Sequence, residues 1–156
     1  MSDLNDNQLM RKDESQQKFK TVRKEGEPTA AFKGASWATL VIGMAAYLIG
    51  LFNADMELNE KGYYFAVLIF GLYAAVSLQK AVRDKEEDIP VSSIYYGISW
   101  FAVIIAVALM AIGLYNADGL ALSEKGFYSM AFVLSLFSAI TIQKNIRDTQ
   151  VAKEKE

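Results

Sequence analysis

Gly34–Ala35–Ser36–Trp37, Gly50–Leu51–Phe52–Asn53–Ala54–Asp55 and Glu60–Lys61–Gly62–Tyr63–Tyr64 are followed, past a second apolar run, by Gln79–Lys80 and Arg83–Asp84. The same series returns as Gly97–Ile98–Ser99–Trp100, Gly113–Leu114–Tyr115–Asn116–Ala117–Asp118, Glu124–Lys125–Gly126–Phe127–Tyr128, and Gln143–Lys144 with Arg147–Asp148. Gly50 to Gly113 is a step of 63 and Glu60 to Glu124 a step of 64, so the second loop carries one extra residue. Ordered repetition at fixed spacing marks one supersecondary unit made twice. Here the unit is a helical hairpin.

The apolar runs give the hairpin its solvent. Of 156 residues 53% are hydrophobic, and no Asp, Glu, Lys or Arg falls in 34–54, 62–79, 89–117 or 126–143. A helix needs roughly 20 apolar residues to cross the hydrocarbon layer, and flanking Lys and Arg extend shorter ones by snorkelling. Buried hairpins of a soluble bundle would show a charged face at helical period, and these runs show none. The fold class is therefore an all-α membrane protein, four transmembrane helices as two parallel-repeat helical hairpins. Its expected parts are a polar, disordered tail at 1–31, membrane domains at 32–84 and 95–148, a connector at 85–94 and a polar tail at 149–156. With about thirty hydrophilic residues ahead of it, the first run is expected to act as an uncleaved signal anchor. In the tail, Leu9, Met10, Phe19 and Val22 form a weak apolar stripe that a surface helix would lay on lipid.

Charge sets the expected topology. Of the sixteen Lys and Arg residues, only Lys61 and Lys125 fall in the hairpin loops. The rest occupy the tails and the middle connector, which the positive-inside rule places in the cytoplasm. Each hairpin then enters and leaves on one side, and the repeat axis runs along the membrane normal, unlike the inverted repeats of many transporters.

Local signals place the helix ends. Pro28–Thr29 opens the first helix, which runs to about Phe52, with Asn53 suited to a left-handed stop. Asn59 and Ser123 are candidate N-caps for the second and fourth helices, and Pro90 fits the first turn of the third. Gly43, Gly50, Gly71 and Ala75 match Ala106, Gly113, Ser135 and Ala139 in the other copy. Small residues on one face let membrane helices approach closely, so these are the candidate packing positions.

Chemistry is harder to find. The chain has no cysteine and no histidine, which removes disulfides, thiol nucleophiles, imidazole bases and the usual zinc ligands. No phosphate loop, dinucleotide fingerprint or nucleophile elbow occurs, so no catalytic, cofactor-binding or metal residue is assigned and no cofactor is expected. Trp37, Trp100, Tyr63, Tyr64, Phe127 and Tyr128 read as interfacial aromatic belts. Asn53, Asp55, Glu60 and Lys61, with Asn116, Asp118, Glu124 and Lys125, form a candidate contact surface at the loops; solvated hairpin turns use such residues as well. Gln79, Gln143, Ser77 and Thr141 are placed for hydrogen bonds between helices, and Arg83–Asp84 and Arg147–Asp148 for surface pairs.

Taken in order and twice, these motifs resemble the YiaA/YiaB two-helix domain family of bacterial membrane proteins, over 32–84 and 95–148. The resemblance implies a multi-pass protein of the bacterial inner membrane and carries over no catalytic or binding residue. The expected role is that of a non-enzymatic integral membrane protein acting through protein or lipid contacts, in envelope maintenance or stress tolerance. The alternative is an oligomeric small transporter or channel subunit lined by Ser77, Ser135, Ser138 and Thr141. Expected partners are the lipid bilayer and a second copy or another membrane protein, with nothing pointing to nucleic acid.

Overall fold

The computed structural model describes residues 26–154 and Arg11. The stripe Leu9, Met10, Phe19 and Val22 lies outside the described residues. Four helices follow in order: α1 Ala30–Asn53, α2 Leu58–Glu86, α3 Ser93–Asn116 and α4 Leu122–Glu154. Each is long and apolar enough to cross a bilayer. Among the described residues there is no strand. Both α2 and α4 outrun their charge-free cores, and α4 stays helical into the polar segment after Asp148.

Helix ends follow backbone demand. The Thr29 hydroxyl accepts from Phe32 N at 3.0 Å, and Ser92 accepts from Tyr95 N at 3.1 Å. Such caps contribute about 1 kcal/mol each. The third helix thus starts at Ser93, with Pro90 ahead of the cap rather than in the first turn. Asn59 and Ser123 are not caps either. Glu60 and Glu124 fold back to accept from Glu57 N at 2.9 Å and Ala121 N at 2.7 Å, which moves each helix start earlier. Asn53 is also not left-handed: it stays helical and donates its amide to Ile49 O at 2.7 Å. The left-handed stop belongs to Asp88, φ 57°, after α2, where Ile89 N reaches back to Asp84 O at 2.8 Å.

The pairing of helices departs from the order of the chain. α1 packs chiefly on α4, α2 chiefly on α3, and α2 and α4 meet at the centre; the two helices of one hairpin touch much less. Glycines show how the seams close. A Cβ on Gly43 would stand 2.8 Å from Ser135 Oγ; on Gly50 it would meet Phe127 and Tyr128, and on Gly113, Tyr63 and Tyr64. The last two contacts exchange under the repeat. Tyr64 and Tyr128, equivalent positions, stack at 6.3 Å, which puts them beside the pseudo-twofold axis. Tyr47 lies fully buried next to them, its hydroxyl donating to Tyr64 O at 2.9 Å. Tyr64 and Tyr128 are therefore core residues, not members of an aromatic belt, because they face the central seam.

Candidate functional site

At the loop end, most of the candidate contact residues serve the backbone. Asn53 and Asn116 donate to carbonyls four residues back, at 2.7 and 2.9 Å. Glu60 and Glu124 hold helix starts, and Lys61 Nζ donates to Phe52 O at 3.0 Å, closing the end of α1. Cations and carbonyl-end contacts of this kind satisfy groups that a helix leaves open. Asp55 and Asp118 remain exposed, and Lys125 is half-buried. A shallow groove of about 240 Å³ lies between the start of α2 and the end of α3, lined by Asn59, Glu60, Tyr63, Gly113 and Asn116. Tyr63 is fixed there by a 2.6 Å hydrogen bond to Leu109 O.

The packing positions lie at the seams. Gly43 faces Ser135, Gly71 faces Phe132 and Leu136, and Ala75, Ala106 and Ser135 are buried, while Ala139 is half-buried. Ser135, Ser138 and Thr141 donate to carbonyls of α4 itself, at 2.8, 2.7 and 2.9 Å.

At the opposite end, where the described chain begins and ends, the polar groups form cross-helix links. Asn145 Nδ2 donates to Ser36 Oγ at 3.0 Å, joining α4 to α1. Ser77 lies 3.0 Å from Tyr95 Oη and 3.3 Å from Ser99 Oγ, joining α2 to α3. The interhelical bonds expected of the glutamines fall to these residues instead; Gln143 Oε1 is buried without a partner among the described residues. Asn145 falls between the repeated pairs Gln143–Lys144 and Arg147–Asp148 but is not itself repeated, so no motif marks it. Its signal was the mismatch with Ala81, the equivalent residue in the first copy.

Ion pairs ring the same end. Asp84, only 6% exposed, takes Lys80 at 2.5 Å and Arg83 at 3.3 Å. Asp148 takes Lys144 at 2.6 Å, whereas Arg147 pairs with Glu87 across the bundle rather than with Asp148. The one-turn spacing from Lys144 to Asp148 favours that pair, which leaves Arg147 to the neighbouring connector. Lys33 pairs with Glu27 at 3.0 Å, and Lys85 sits over the Tyr96 ring at 4.5 Å.

Known proteins give this arrangement a lineage. The family described as the yiaA/B two helix domain matches residues 32–84 and 95–148. The inner membrane protein YiaA of Escherichia coli is 59% identical over 126 residues, 81% of this chain and 86% of that protein. An uncharacterized membrane protein of Bacillus subtilis, YubF, is 48% identical over 61 residues, 38% of this chain and 70% of its own. The inner membrane protein YiaB of Escherichia coli is 29% identical over 105 residues, 65% of this chain and 86% of its own. No solved structure matches the chain. Two in-order copies of the family domain, on four helices able to cross a bilayer, make this chain a multi-pass inner-membrane protein of the YiaA/B two-helix family.

Proposed function

We propose that this protein works by contact, with other membrane proteins or with lipid, and performs no catalysis of its own, in support of envelope maintenance or stress tolerance. The observation that carries this reading is the filled interior. Tyr47, Leu68, Ser99, Ser135 and Ser138 are fully buried, so the middle of the bundle is packed side chain. Ser135, Ser138 and Thr141, the hydroxyls a channel would use, are engaged with the carbonyls of α4. No Asp, Glu, Lys, Arg or His lies within the apolar cores, and ion-coupled carriers generally rely on one. What remains for activity is surface: exposed Val41, Ile42, Ile49, Ile98 and Ile104 on α1 and α3, and the polar ends.

Crosslinking in native membranes, paired with flux assays on sealed liposomes, tests the proposal. Specific crosslinks are expected, with no leakage of protons, potassium or small solutes above that of protein-free liposomes. Reproducible flux that Ser77→Ala and Thr141→Ala abolish would replace contact with conduction.

The orientation is part of the same proposal: both termini and Lys85 face the cytoplasm, on the strength of the charge count. The chain has no cysteine of its own, so Glu57→Cys, Asp118→Cys and Lys153→Cys report cleanly. An impermeant thiol reagent should label the first two from outside and spare the third until the membrane is opened. Labelling of position 153 in intact inner-membrane spheroplasts would invert the assignment.

A further inference from the structure

A groove of about 320 Å³ opens between the start of α1 and the last turns of α4, its wall formed by Lys33, Trp37, Asn145, Ile146, Thr149 and Lys153. It lies at the end of the bundle that carries the ion pairs, just past the charge-free cores, where a bilayer crossed by those cores would bring its headgroups. Asn145 is its most telling residue. The Ser36 hydroxyl gives its one proton to Phe32 O at 2.8 Å, so toward Asn145 it can only accept. That fixes Nδ2 against Ser36 and leaves Oδ1 free. The residue is 3% exposed, and Oδ1 finds no donor among the described residues. A buried acceptor left in that state is unfavourable, and a bound donor would relieve it.

The cations fit a second group. Lys33 Nζ holds Glu27 at 3.0 Å and Thr149 Oγ1 at 3.4 Å, and Lys153 makes no ion pair among the described residues. Lys33, Lys153 and Glu27 together leave one positive charge, which a single phosphodiester neutralises. Half-exposed Trp37 and exposed Ile146 supply an apolar wall leading from there toward the membrane core.

The repeat provides an internal control. By the same offsets, Lys33, Asn145, Thr149 and Lys153 become Tyr96, Ala81, Lys85 and Ile89. There the one cation is taken up by the Tyr96 ring, and the orphan amide is replaced by a methyl group. The features that would recognise a headgroup belong to one half only.

We propose that this groove binds the headgroup of phosphatidylglycerol, with the phosphate between Lys33 and Lys153 and a glycerol hydroxyl entering to donate to Asn145 Oδ1, which neighbouring side chains cover until the headgroup enters. Basic pockets between membrane helices commonly take anionic headgroups. The site deepens the contact reading above and rests on it, naming lipid as one of the contacts.

Trp37 serves as the reporter. The 156-residue chain carrying Trp100→Phe has it as the sole tryptophan. Reconstituted in phosphatidylcholine bilayers, it is titrated with dibrominated phosphatidylglycerol, phosphatidylethanolamine or phosphatidylcholine, and quenching is read. Phosphatidylglycerol should be preferred over phosphatidylcholine by about fivefold or more for each lysine engaged. Lys33→Gln and Lys153→Gln should each weaken that preference, and Asn145→Ala should weaken it without a change of charge. Lys85→Gln, in the other half, should leave it intact. Equal quenching by the three lipids, a stronger response to phosphatidylethanolamine, or a preference indifferent to both lysines would overturn the proposal. Asn145→Ala also removes the link to Ser36, so if that variant unfolds the two lysine variants decide alone. A negative result here, with partner crosslinks intact, removes only the lipid site, whereas liposome flux would remove the contact role beneath it.

Discussion

Single atoms decide whether the seams close. A Cβ at Gly113 would lie 2.6 Å from Tyr63 Cε1, and that ring cannot swing away without losing its 2.6 Å bond to Leu109 O. Gly113→Ala is therefore expected to cost about 1–3 kcal/mol, the usual penalty for overpacking a well-filled contact. Gly62, also helical, has nothing within 4 Å of its Cβ position. Gly62→Ala should be neutral or gain up to about 1 kcal/mol, from the lower conformational freedom of alanine in the unfolded chain. Chemical unfolding in detergent compares the two, and equal losses would contradict the seam. The sequence marked Gly113 as a packing position by its match to Gly50, but it could not name the tyrosines that press on it. Contact partners depend on which helix lies opposite, and side-chain spacing along one helix does not encode that.

Among the elements, the number and span of the helices were legible and their pairing was not. Charge-free runs bounded by Lys and Asp give the spans because hydrocarbon excludes charge. Pairing leaves no such trace: in lipid every face can be apolar, so no polar stripe identifies the face turned outward. Small residues marked packing faces, for contacts inside or between the hairpins, without naming the helix opposite; α1 lies against α4 and α2 against α3. The helix starts were missed for a related reason. Asn59 and Ser123 are good caps in isolation, but Glu60 and Glu124 reach back and win the first turn. Crosslinking reads the pairing directly. Gly43→Cys with Ser135→Cys should form a disulfide within one chain, shown by faster migration on a denaturing gel. Gly43→Cys with Gly71→Cys should not, since the Gly71 Cβ direction points at Phe132 and Leu136. A product of twice the mass from the first pair would mean that α1 reaches the α4 of another copy.

On the scale of the molecule, each repeat completes itself only through the other. A hairpin cut free would leave uncovered the faces that α1 turns to α4 and α2 to α3. Severing the connector between Asp88 and Pro90 and co-expressing the two pieces should thus return a one-to-one complex, measured by co-purification and mass. Pieces that stay apart, each folded and monomeric, would show that the hairpins are self-sufficient. The arrangement has the logic of a two-chain dimer whose subunits have been joined end to end. A true homodimer is bound by its symmetry, because any residue that changes does so on both sides at once. Joining lifts that restriction. Position 33 is free to be lysine while its twin at 96 is tyrosine, and 145 to be asparagine while its twin at 81 is alanine. Stoichiometry can then be odd where the architecture is even, and a scaffold with two equivalent corners can hold a single guest in one of them.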